Sequence, residues 1–197
     1  LEEAARQAGV RILLNTSADE IQALPEGGFQ LKLSGSGAAQ HGGTLRAHRL
    51  LVATGGNPKS INYDWLRALG HTITEPVPSL FTFNVPNSPL NELMGVSVPQ
   101  ARIVLAGEKL QYEGPLLVTH WGVSGPAVLK LSAWGARRLS ELGYVGTALI
   151  NWIPSFTEET LRPWLQQFRQ EHGKKTVASN PQFGLPQRLW RNLTEQA

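Results

Sequence analysis

Leu1, Ala4, Ala5 and Ala8 recur at helical spacing, and Gly9 stands where a glycine would end a helix. Val10–Leu14 then reads as a strand, so helix, glycine and strand follow one another as in the second half of a βαβ crossover. Leu50-Leu51-Val52-Ala53 is a continuous apolar run closed by Thr54, Gly55 and Gly56. So short a run without a polar position predicts a strand buried on both faces of a parallel sheet. Between these two lie Glu20–Leu24, the cleanly alternating Phe29–Leu33, and Thr44–His48, which predict half-exposed antiparallel strands. Pro25–Gly28 is a turn, and Ser34–Gly43, small and polar, predicts a mobile hairpin tip. The outline is an α/β unit whose crossover is a β-meander.

Asn62–Leu69 has the pattern of a short helix stopped by Gly70. Glu75-Pro76-Val77-Pro78 is stiff and extended, and divides the chain into domains 1–75 and 76–197. Beyond it, Leu80–Val85, Gly95–Val98, Ala101–Ala106, Gly114–His120 and Thr147–Ile153 are strand-like runs parted by turn residues, the pattern of a small barrel over about 79–153. Ser124 and Pro126 predict an N-cap and first turn. Val128, Ser132, Gly135, Ala136, Leu139 and Leu142 form the inner face of the helix that follows, and Gly143 ends it. The small residues on that face imply close approach to another element. Leu161, Trp164, Leu165 and Phe168 predict a second helix, kinked at Pro163, and Leu185, Leu189, Trp190 and Leu193 a third after Pro186. These two make a helical lobe over about 155–197. The fold class is mixed, α+β or α/β.

Composition narrows the function classes. The 41% hydrophobic and 17% charged fractions belong to a soluble globular protein, and no apolar run is long enough to span a bilayer. Without cysteine there is no disulfide, thiolate metal site or cysteine nucleophile, which favours an intracellular, cytoplasmic protein. The 18 basic and 15 acidic side chains are interspersed and leave a net charge of only +3, so no nucleic-acid footprint is expected. The chain opens in mid-helix without methionine, and its one Met is Met94. A segment of a longer protein is expected, with the first strand of the crossover upstream of Leu1.

Candidate chemistry is sparse. The glycines after Ala53 let backbone approach a ligand at the carboxyl end of a strand, where open α/β sheets bind. Ser124 in Gly122-Val123-Ser124-Gly125-Pro126 lacks the second glycine of a nucleophile elbow, and helix capping explains it without hydrolase chemistry. His41, His48, His71, His120 and His172 have no metal-ligand spacing; only His120, between a strand and a helix start, stands near other candidate chemistry. The backbone N–H groups at Ser124–Ala127 offer the anion-binding potential of any helix start. The tryptophans at 65, 121, 134, 152, 164 and 190 are dispersed over apolar faces and predict core packing. Arg137-Arg138 and Lys174-Lys175 read as solvated helix ends.

Four stretches carry a resemblance. They are Leu1–Leu14, Leu51-Val52-Ala53-Thr54-Gly55-Gly56, Leu69–Ile73 with Pro76–Leu80, and Thr119-His120-Trp121-Gly122-Val123-Ser124-Gly125-Pro126-Ala127-Val128-Leu129. In this order the chain resembles the BaiN-like (YhiN-type) NAD(P)/FAD-dependent oxidoreductases, also called the aminoacetone oxidase family. The resemblance implies a partial Rossmann-type FAD-binding domain and, from about Ser79, an inserted β-barrel joined to a helical lobe. It implies that Ala53, Thr54, Gly55 and Gly56 pass near FAD and that Ala18 borders its adenine side. His120 and Ser124 become substrate-side candidates; no catalytic acid or base and no metal is implied. The partners implied are a small-molecule substrate and NAD(P)H, without nucleic acid or membrane. The chain alone is expected to be inactive, colourless and a poor FAD binder. The family's G-x-G-x-x-G is not in this sequence, and Asn57–Tyr63 stands where many members carry glycines. These departures motivate the rival reading, a non-catalytic ligand-binding or interaction module that keeps the family's shape.

Overall fold

The structure, a computed structural model, describes residues 1–173 and 176–196, the side chains of Gln40 and His41 excepted. Lys174 and Lys175 therefore lie outside the described residues, as does the His41 side chain. The chain divides into two compact units, Leu1–Pro76 and Val77–Ala197.

In the first unit, helix α1 (Glu2–Gln7) is braced by Arg6 on Glu2 one turn away. Strands β1 (Ser17–Ala23), β2 (Phe29–Ser34) and β3 (Thr44–Ala47) form an antiparallel meander in that order. The alternation of Phe29–Leu33 is realised there, with Leu31 buried and Lys32 exposed. Helix α2 (Asp64–Ala68) follows a 3-10 turn and is stopped by Gly70 at φ +90°.

Three expectations for this unit are corrected. Val10–Leu14 and Leu50–Ala53 lie in no strand, Leu14 being in a turn, and Leu51 is 91% exposed. A parallel strand is stabilised only by ladder bonds to a neighbour and by helices on both faces; among the described residues neither run has a strand beside it. Ser34–Gly43 is folded back rather than projecting as a loose tip. Gly37 N–H donates to Asn15 O at 3.1 Å, and Ala38 is buried. Its glycines serve contact: a Cβ on Gly35 would lie 2.3 Å from Asn15 O and one on Gly37 2.2 Å from Leu14 O.

In the second unit, strands β4 (Phe83–Asn84), β5 (Ser97–Leu105), β6 (Leu110–Val118), β7 (Gly122–Ser124) and β8 (Ala148–Asn151) form a five-stranded antiparallel sheet. Its order is β4-β7-β6-β5-β8, so β4 and β8 are its edges. The runs Gly95–Val98 and Ala101–Ala106 prove to be largely one strand, β5, with an irregularity between Val98 and Ala101. Pro99 has no N–H for the ladder, and the bulge accommodates it. The sheet curls into a half-barrel: residues of both edges line one cleft.

Helices α3 (Pro126–Trp134) and α4 (Ala136–Glu141) replace the single helix expected and meet at Gly135. The expected close approach is there, since a Cβ on Gly135 would lie 2.8 Å from Leu110 Cδ1. The N-cap is Gly125 at φ +96°, not Ser124, which sits in β7 opposite Leu117. A Cβ at residue 125 would come within 2.8 Å of Pro115 O, so only glycine lets β7 turn into α3 this close to β6.

Helix α5 (Glu158–Glu171) starts at a capping box of Thr157 and Thr160 and continues through Pro163. Helix α6 (Gln187–Glu195) follows Pro186. Leu185, Leu189 and Trp190 share one core with Ile103, Leu116 and Val128, so the lobe is packed on the barrel. Arg188 ties the two by donating to the carbonyl oxygens of Glu92 and Met94 at 2.6 and 3.2 Å.

The surface corrects two further expectations. Trp190 is core, but Trp134 is 81% exposed and Trp121 43% exposed. Arg138 is no merely solvated helix end: it donates to Glu108 at 2.8 Å and Glu141 at 3.0 Å, and these hydrogen bonds to carboxylates raise its pKa. The same bond holds the Glu108 carboxyl below its ordinary value. Among the described residues no helix is long and apolar enough to cross a membrane.

Candidate functional site

Ala53, Thr54, Gly55 and Gly56 form an exposed stretch of the first unit outside any helix or strand. Gly55 takes φ +77°, a conformation that favours glycine, and a Cβ added at Gly55 or Gly56 would meet nothing within 4 Å. The result is bare backbone with open space beside it. Immediately downstream Asn57 knits the chain: its Oδ1 accepts from Lys59 N at 3.1 Å and Asn62 Nδ2 at 2.6 Å. The Tyr63 hydroxyl donates to Asn57 O at 3.1 Å. Asn57–Tyr63 is thus a self-braced turn in place of a glycine-rich one. Ala18, the other candidate in this unit, lies in β1 opposite Leu33, next to an irregularity at Asp19.

In the second unit the turn from β6 to β7 brings His120 and Ser124 into one segment. Thr119 closes it, with its N–H donating to Gly122 O at 2.8 Å. His120 is exposed, with its ring edge-on to Trp121 at 4.1 Å. Ser124 is half-buried, with its backbone in the β6–β7 ladder. Gly122 holds the turn against β4: a Cβ there would lie 2.2 Å from Phe83 O and 2.7 Å from Val85 N. Trp121 O accepts from Val85 N at 2.7 Å on the same side. Among the described residues no group of three or more His, Asp or Glu is placed to hold a metal.

Sequence reasoning missed the cleft between the sheet edges, a cavity of about 760 Å³. Phe83 and Asn84 of β4 face it from one side and Ala148 and Ile150 of β8 from the other. Phe81 stands 6.2 Å from Phe83 and edge-on to Tyr144 at 5.7 Å, so three aromatic rings make one wall. The wall is anchored from behind by Ser132, a fully buried hydroxyl that accepts from Phe81 N and donates to Leu129 O, each at 2.9 Å. The signal in the sequence was the Phe81/Phe83 alternation; its partner Tyr144 lies too far along the chain for periodicity to join them.

Residues 77–197, more than half of the chain, match the family described as "HI0933-like protein barrel and H2TH domain". The chain belongs to this family. The HI0933-like chain is also 28% identical over 180 residues to the ribosomal RNA dihydrouridine synthase of Escherichia coli K12, covering 86% of this chain and 40% of that protein. It is 29% identical over 142 residues to the 3-dehydro-bile acid delta(4,6)-reductase of Clostridium scindens, covering 67% and 34%. A second ribosomal RNA dihydrouridine synthase, from Haemophilus influenzae, is 35% identical over 91 residues, covering 42% and 22%. The chain thus spans well under half the length of each of these relatives.

Proposed function

We propose that this chain is the inserted barrel and part of the cofactor domain of a BaiN-like, FAD-dependent reductase that hydrogenates a carbon–carbon double bond conjugated to a carbonyl. One observation carries the reading: the same chain is similar to two proteins whose names denote such reductions. Dihydrouridine is uridine with its pyrimidine double bond, conjugated to a ring carbonyl, reduced. A 3-dehydro steroid with unsaturation starting at the adjacent ring position is likewise a conjugated ketone. Reducing such a system adds hydride to an electron-poor carbon of the conjugated chain, shifts the π electrons toward the carbonyl, and then returns a proton to the neighbouring carbon.

The Ala53–Gly56 backbone fits FAD in that nothing fills the space a Cβ would occupy at either glycine. When bound, FAD supplies the hydride after accepting one from NAD(P)H. Ala53, Thr54, Gly55 and Gly56 present backbone to it, and Ala18 borders the adenine side. His120, exposed on the β6–β7 turn, is a substrate-side candidate of the second unit. Ser124 positions that turn through its ladder pairing with Leu117. The substrate is a small conjugated carbonyl compound, and the protein works in the cytoplasm.

A second reading, that the double bond belongs to a uridine in RNA, is favoured by the alignment covering 86% of the chain. The test uses the whole protein that carries this chain, loaded with flavin. NAD(P)H should be consumed with a conjugated enone and not with its saturated ketone; equal consumption with both, or with neither, contradicts the proposal. Steeply salt-dependent binding to a ribosomal RNA fragment, with turnover on that fragment alone, would favour the second reading.

A further inference from the structure

We infer that the cleft between β4 and β8 is a binding site for a neutral, largely apolar ring system of about the size of a steroid nucleus. Its volume of about 760 Å³ lies within the range of roughly 300–1,000 Å³ in which small-molecule sites fall. A small barrel normally fills its interior with its own side chains. Here Phe83 and Ile150, half-buried on strands at opposite edges of the sheet, border open space as well as packing on the core.

The chemistry of the lining selects the occupant. No Lys, Arg, His, Asp or Glu is among the residues that line it. An anionic ligand would lose its hydration without gaining a counter-charge, which is costly. A neutral ring system loses only apolar surface, and the Phe81, Phe83 and Tyr144 rings give it faces and edges to pack on. Thr82, Asn84 and Thr147 supply the few polar groups that would hold a carbonyl or hydroxyl at one end. The outward edges of β4 and β8 add backbone groups that no other strand takes up among the described residues.

The wall is also held in place. Leu80, next to Phe81 in the chain, and Tyr144, itself part of the wall, both sit at φ +60°, where a side chain with a Cβ is strained. The buried Ser132 fixes the backbone at Phe81. Strain and a buried hydroxyl spent on one wall of an open cleft are what preorganisation for a ligand requires.

Progesterone, a neutral tetracyclic enone, is the probe, and equilibrium dialysis with the 197-residue chain, without flavin or nicotinamide, is the assay. Saturable binding is expected, weakened at least about tenfold, roughly 1.4 kcal/mol, in Thr147→Trp, which fills the mouth from an exposed position, and in Phe83→Leu, which removes a ring. Both variants are checked for an unchanged unfolding transition. Uridine monophosphate should neither bind there nor compete. Absence of saturable progesterone binding, wild-type affinity in either folded variant, or competition by uridine monophosphate would overturn the inference. Because the readout needs neither cofactor nor turnover, any of these results would leave the reductase reading standing.

Discussion

Replacing Ser132 with alanine removes one oxygen from the centre of the second unit. That hydroxyl is fully buried and makes two hydrogen bonds of 2.9 Å, accepting from Phe81 N and donating to Leu129 O. The Leu129 carbonyl loses only a supplementary bond, because it is inside α3, where the helix ladder also uses it. Phe81 N–H loses its partner outright. A net hydrogen bond contributes about 0.5–1.5 kcal/mol, and a buried donor left without a partner costs about 1–3 kcal/mol. Phe81 is half-buried, so water relieves part of that cost, and a loss of about 1.5–2 kcal/mol is expected. For a unit of this size that lowers Tm by about 5–8 °C. Urea unfolding followed by tryptophan fluorescence measures it, with Ser132→Cys as the companion variant. Cysteine retains most of the volume but only a weak donor and acceptor, so it should lose nearly as much as alanine. A loss under about 0.5 kcal/mol in alanine would refute the claim that Ser132 pins the aromatic wall. Full retention by cysteine alone would show that packing, not hydrogen bonding, matters there.

Three other outcomes are expected. Gly122→Ala should destabilise the second unit by about 2–3 kcal/mol, because its Cβ would meet the backbone of Phe83 and Val85; hydrogen exchange should quicken first in β4, and a wild-type exchange pattern would count against the packing described. Hydrogen bonds from Gln100 and Arg102 hold the Glu113 carboxyl below its ordinary value of 4.5, so the ionised form adds stability above that pH which is lost as pH falls through the lower folded value. Glu113→Gln should therefore be less stable than wild type at pH 7 and converge with it in acid, and a constant difference down to acid pH would reject this. Limited thermolysin digestion with mass mapping should cut within Leu50–Asn57 before Ser34–Gly43, since the first is exposed and outside any ladder while the second is folded onto Asn15; the reverse order would place the weak point wrongly.

Where a pattern is closed within a few residues, the sequence was legible. Leu189, Trp190 and Leu193 share one helix face, and α6 forms with Leu189 and Trp190 buried; Leu185 packs in the same core from just before the helix. Phe29–Leu33 alternates and is β2. Leu50–Ala53 shows the limit, because burial on both faces depends on strands and helices that composition alone cannot supply. Pro99 looked like a boundary between two strands, yet a bulge carries β5 past it. Gly125 and Ser124 exchanged roles because capping preferences cannot register how near β6 passes. Among site residues, Ala53–Gly56 and His120 stood out through local glycines and polar neighbours. The cleft did not, since it exists only where β4 meets β8 across the curl of the sheet. Ser132 was recognised as small, and its bond to Phe81, 51 residues away, lay beyond any local pattern.

The most direct test of the reductase reading is an anaerobic half-reaction of the whole protein that carries this chain. The purified protein should show the absorbance of oxidised FAD, lose it on addition of one equivalent of NADH or NADPH, and regain it when a conjugated enone is added. In heavy water the product should carry deuterium at the carbon α to the carbonyl. Protein without flavin, or reduced flavin that oxygen reoxidises but the enone does not, would contradict the reading.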